Sequence, residues 1–185
     1  MAVRIKSHWH DDEQQRSFAE IGGALAFNSW KLALDKAITL HGENFVYRDD
    51  RQRLAVIMEY LIFAVQVVDR LAHQCLEEEA RQGVVTAMAL KLAEYLQDNA
   101  RELLADDRYQ ARFIEQLNQR AAEYADFTLS KEGPSYPFYR HLGYVIQQVM
   151  GREGENRWVI DQVMDLDGPQ LYKLLRRITR DLLPE

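Results

Sequence analysis

Apolar residues recur along most of this chain at spacings of three and four, the repeat of a helix with one buried face, and no alternating strand pattern bounded by hairpin turns emerges. After a polar tail over residues 1–11, a short helix is expected near 12–21, and Gly22-Gly23 weakens its continuation because glycine gives up the most backbone freedom on entering a helix. A helix over about 24–40 follows, with Phe27, Trp30, Leu34, Ala37 and Ile38 as its apolar stripe. His41 and Gly42 make a stop, since a cation suits the last turn and glycine takes the left-handed conformation beyond it.

Asp49 or Asp50 caps the next helix, which runs to about residue 77 and is apolar around most of its circumference. It is the candidate central helix. A third is expected over about 84–104 on Val85, Met88, Leu92, Tyr95, Leu96 and Leu103, and a fourth over about 108–127 on Phe113, Ile114, Leu117, Ala121 and Tyr124. Residues 129–135, LSKEGPS, break the pattern as the clearest loop, too short to separate domains. A fifth helix over about 137–150 stops at Gly151, and another spans about 155–164. Asp167 and Gln170, three apart, read as a capping box, with Pro169 in the tolerated first turn of a last helix ending near 183. The expected fold is all-α: one domain over residues 1–185, a mainly antiparallel bundle of about six or seven helices.

Within the central helix, EYLIFAVQVVDRLAH combines a core's worth of apolar side chains with a carboxylate, an amide, an ion pair and an imidazole. At about 100° per residue, Gln52, Glu59, Gln66, Arg70, His73 and Glu77 fall on one stripe with Asp69 at its edge. Glu59 and His73 stand about 21 Å apart along the axis, at about 1.5 Å per residue, so they cannot share one metal ion. Asp69 with His73 and His73 with Glu77 are neighbours at four-residue spacing. Two readings result. One is a polar seam facing the bundle interior, where a carboxylate-held histidine serves as ligand or proton carrier. The other, preferred because charged residues mostly stay in water, is the outward-facing, solvated strip of a mostly buried helix.

Other chemistries lack their spacings. No histidine here has an acidic residue three positions earlier, the arrangement of dinuclear iron bundles, and no two stand four apart on a helix as zinc peptidases require. His8 and His10, beside Asp11 and Asp12, read as tail, and the metal content stays unassigned. The glycines form no phosphate cradle, and Cys75 with His73 only two residues away does not make a nucleophile pair. In YPFYRHLGY, Tyr136, Tyr139, Arg140, His141 and Tyr144 have the chemistry to line a ligand pocket, although tyrosines at helical spacing more often close a bundle. Helical regulators of the TetR type are similar in length and helicity, but their N-terminal helix-turn-helix signature is not found here.

A formal net charge of −6 repels phosphate backbones, so nucleic acid is not expected as a partner. The charges within residues 54–72 argue against a membrane span. A lone Cys75 in an apolar helical pattern, and an N-terminus that turns polar too soon for a secretory signal, point to a reducing cytoplasm. The last helix places Lys173, Arg176, Arg177 and Arg180 opposite Leu171, Leu174, Leu175, Ile178 and Leu182, a basic amphipathic face suited to a partner groove. The expectation is therefore a non-enzymatic, self-associating interaction protein. The alternative is a bundle holding a small ligand or metal in an internal polar pocket lined by Glu59, Gln66, Asp69, Arg70 and His73 and closed by His141 and Tyr144. The cofactor, if there is one, stays unassigned.

Overall fold

The structure, a computed structural model, describes residues 17–183; the expected tail over residues 1–11, with His8 and His10, lies outside them. Helix α1 spans Phe18–Gly42, α2 Asp50–Ala72, α3 Glu78–Leu104 and α4 Tyr109–Tyr124. A two-residue antiparallel ladder, β1 Leu129–Ser130 with β2 Gly133–Pro134, precedes α5 at Tyr136–Met150. A 3-10 turn, Gly154–Trp158, then leads into α6 at Val159–Gln162, a π turn at Val163–Asp167 and α7 at Gly168–Leu182. Among the described residues the regular structure is helical apart from the ladder, and one contiguous apolar core draws on every helix.

Helix α2 is central because it is apolar around most of its circumference: residues 56–68 are buried without a gap, and α1, α3, α4, α5 and α7 all pack on it. Asp49 caps it as expected, its carboxylate accepting from the Gln52 N–H. The helix ends at Ala72, five residues before the expected boundary, and α3 begins at Glu78. Glu78 and Glu79 suit a helix N-terminus electrostatically, but a polar first turn carries no apolar repeat to announce it. Cys75 consequently sits in the intervening turn, exposed, and not in the apolar helical setting expected for it.

No break occurs at Gly22-Gly23: α1 runs through both. Its N-cap is Ser17, in a reciprocal capping box with Glu20. Gly22 lies in the crossing with α3, where an added Cβ would stand 2.6 Å from Ala87 Cβ and 2.8 Å from both Met88 N and Val84 O. On the facing helix, a Cβ at Gly83 would meet the Phe18 ring at 2.4 Å. Glycine is present for backbone approach, and packing between α1 and α3, the most extensive helix pair, outweighs its propensity cost of about 1 kcal/mol.

The same close approach corrects the expected apolar stripe of α1. The buried positions include the small residues Gly22, Ala26, Ser29, Ala33 and Ala37, whereas Phe27 is 53% and Ile38 70% exposed and Trp30 and Leu34 are half-buried. The small residues sit there among the larger Ile21, Leu25 and Leu40, so the close approach of α3 and not apolar bulk alone sets which face goes in. The helix still ends at Gly42, although the left-handed residue after it is Asn44, at φ 71°.

The 155–164 segment is part 3-10, part α and part π. Because the π turn feeds directly into α7, Asp167 has helical backbone angles and caps nothing; the expected box with Gln170 does not form. Its carboxylate instead lies in the core, 2.7 Å from the Tyr60 hydroxyl and 3.4 Å from Lys36 Nζ, while Lys36 also donates to Gln170. Burial pushes the Asp167 carboxyl above its usual range, partly offset by the Tyr60 hydrogen bond and the Lys36 charge. At the α3–α4 junction Asp106 accepts from Arg108, Arg51 and Arg112, and the Arg108 bonds lead in holding its carboxyl down to about 2.

Candidate functional site

The polar stripe of α2 divides where the helix emerges from the bundle. Gln52, Glu59 and Gln66 are buried, Asp69 and Arg70 are half-buried, and His73 and Glu77 face water. The expectation that the whole ribbon looks outward is corrected: α4 and α5 cover its first two thirds, and only the last turn and the residue beyond it match the solvated reading.

Glu59, 1% exposed, is the innermost member. Arg120 of α4 forks onto it, with Nη2 2.8 Å from Oε1 and Nε 3.1 Å from Oε2, and Gln116 donates a further hydrogen bond. The third nitrogen of Arg120, Nη1, lies 2.9 Å from Glu123 Oε2. His141 of α5 follows, its Nε2 2.9 Å from the same Glu123 oxygen although the ring N–H is not aimed along that contact. Charge thus alternates from core to surface through Glu59, Arg120 and Glu123, with the imidazole at the outer end.

Aromatic rings form the wall of this network. Tyr124, 1% exposed, meets the His141 ring edge-on at 4.7 Å between centroids and the Phe138 ring at 4.7 Å. Arg70 closes the other side: its Nη2 donates to the Tyr124 carbonyl at 2.7 Å, its Nη1 to Gln66 Oε1 at 3.0 Å, and its guanidinium lies 5.1 Å above the Phe138 ring. A cation on the last carbonyls of α4 satisfies acceptors that the helix cannot, and α4 has no basic residue of its own in that turn.

Burial sets the protonation of the outer end. His141 is lowered from its ordinary value chiefly by desolvation, with Glu123 opposing and Arg120 assisting. Arg120 is raised: burial is the largest single influence and would lower it, but the bonds and charges of Glu59 and Glu123 together outweigh it. An unfolded imidazole titrates near about 6.5. The folded chain therefore binds that proton less readily, so His141's contribution to stability is complete above the unfolded value and is lost as pH falls through the window below it. A His141→Phe variant is expected to show a shallower fall of Tm between about pH 6.5 and 5 than the parent, read by thermal unfolding across that range.

The residues expected to line one pocket are thus divided. Glu59, Gln66, Arg70 and His141 are brought into or beside the network. Asp69 and His73 instead line an open cleft of about 410 Å³ with Arg70, Arg81 and Thr128, in which Arg81 pairs with Asp69 and Glu78. Tyr144 is 48% exposed and joins neither. Lys173, Arg176, Arg177 and Arg180 are all exposed on α7, opposite the buried Leu171, Tyr172, Leu175 and Thr179. Among the described residues, no group of three or more His, Cys, Asp or Glu is placed to hold a metal ion, and no helix is long and apolar enough to cross a membrane.

Sequence reasoning missed Gln116, Arg120 and Glu123. Arg120 did carry a signal: with Phe113, Leu117 and Tyr124 it continues one helical stripe at spacings of four, three and four, so a charge stands at a core position. The buried carboxylate on α2, Glu59, is what that charge requires. Chemically the set is closed, because the Glu59 oxygens are taken up by Arg120 and Gln116 and the imidazole packs edge-on against Tyr124 and at a tilt against Phe127. Compared with known proteins, the chain matches no family model, no curated protein and no solved structure.

Proposed function

We propose that this chain is a non-enzymatic helical interaction protein of the cytoplasm, one that associates with itself and offers the basic face of α7 to a protein partner. The observation that carries this reading is the mutual engagement of the interior charges. Glu59 is held by Arg120 and Gln116, and Asp167 by Tyr60 and Lys36, so the buried polar groups serve the fold while the outer helix faces remain available. A positive strip on a chain of net charge −6 favours an acidic partner and sets the docking orientation. An exposed lone thiol at Cys75 is compatible with a reducing compartment.

Sedimentation of the purified protein, alone and with cell extract, is the test. Self-association and a faster-sedimenting, salt-sensitive complex are expected, the latter lost when Arg176 and Arg177 are both changed to Glu. A lone monomer under every condition contradicts the reading. The cleft lined by Asp69, Arg70, His73 and Arg81 supports a second reading, capture of a small anionic ligand beside the network. Native mass spectrometry of freshly purified protein and of a His73→Ala variant tests it: a bound species absent from the variant supports capture, and no bound species in either removes it.

A further inference from the structure

The most exposed large apolar side chain among the described residues is Ile38, at 70%, and it shares one face of α1 with the 53% exposed Phe27 and the half-buried Leu34. These residues, with Lys31 between them, recur at spacings of four, three and four, so they line up along the helix axis. Phe27 and Ile38 stand about 16 Å apart, at about 1.5 Å per residue. We propose that two copies of this chain associate through this face, their α1 helices antiparallel about a two-fold axis that crosses between Lys31 and Leu34.

A two-fold interface must be complementary to itself, and this face has that property in both apolar and charged positions. Antiparallel juxtaposition about the stated axis sets Phe27 against Ile38 of the second copy, twice. It also brings Lys31 beside Asp35 of the second copy, again twice. Both charges are available: the Lys31 ammonium rests 5.5 Å over the Phe27 ring, and Asp35 forms no ion pair among the described residues although Lys31 is one turn away. At the Ile38 end, an open cleft of about 460 Å³, lined by Ala37, Ile38, His41 and Tyr47 together with Asp49, Asp50 and Arg53, lies on the side where the Phe27 ring of the second copy would come. A surface built for an acidic or basic partner is dominated by one sign, as α7 is by its four cations against Asp181; one cation and one anion flanking a shared apolar row match a second copy of the same row.

This assignment rests on the self-association proposed above, and the full chain tests the two separately. Wild-type protein is examined by sedimentation at up to about 100 μM, where a dimer of micromolar Kd is fully formed. Lys31→Glu, or Asp35→Lys, sets like charges together at both symmetric contacts and is expected to weaken the dimer about tenfold or more, and the double variant is expected to restore it. Both side chains are exposed, and far-UV circular dichroism checks that each variant keeps its helices. A wild-type dimer indifferent to either single change overturns the α1 interface and leaves self-association standing. Single changes that dissociate the dimer without rescue by the double variant overturn the antiparallel register. A wild-type monomer overturns both readings.

Discussion

Replacing Arg120 with alanine is expected to cost about 3–5 kcal/mol of folding free energy, because it strands the Glu59 carboxylate in the core without a counter-charge. For a chain of this size that corresponds to a fall in Tm of roughly 6–20 °C. The informative comparison is the double variant Glu59→Leu with Arg120→Met. Taking two charges out of water offsets most of their attraction, so replacing both by apolar groups of similar volume is expected to be near neutral or stabilising. Urea unfolding of the single and double variants measures both effects. A loss below about 1 kcal/mol for Arg120→Ala would place Glu59 in contact with water and remove the buried network as a structural element.

The second large effect has a sign opposite to that of helix propensity. Substituting Gly22 with valine improves the residue's intrinsic preference for helix, yet it is expected to destabilise the chain by about 1–3 kcal/mol or more. The atoms in the way are Met88 N and Val84 O, each 2.8 Å from an added Cβ, and backbone cannot rotate aside as a flexible side chain can. Relief requires α1 and α3 to separate along their shared length. Gly23, one residue on, is the control: nothing lies within 4 Å of a Cβ added there, so Gly23→Ala is expected to leave stability unchanged or raise it by a few tenths up to about 1 kcal/mol. Thermal unfolding of the two variants separates propensity from packing.

Legibility of the candidate site followed the same division. The α2 stripe was visible because six polar residues keep one helical phase through an otherwise apolar segment. Its direction was not, since phase says which residues share a face and nothing about what covers it. Gln116 and Arg120 come from α4, 57 and 61 positions away from Glu59, and only the docking of α4 on α2 brings them together. Asp167 is the parallel case: its spacing to Gln170 satisfied a local capping rule, but a long-range bond to Tyr60, 107 positions away, took the carboxylate inward.

What the amino-acid order determined by itself was the helical class, the central place of α2, its cap at Asp49 or Asp50 and the outward basic face of α7, all of which follow from periodicity and local backbone chemistry. Tertiary structure alone decided which face of α1 is buried, which charges become partners, and where Cys75, His73 and Tyr144 meet water. The physical reason is range. Capping and periodicity act within a turn or two, whereas close approach of backbones at Gly22 and pairing of Glu59 with Arg120 depend on helices far apart in the chain.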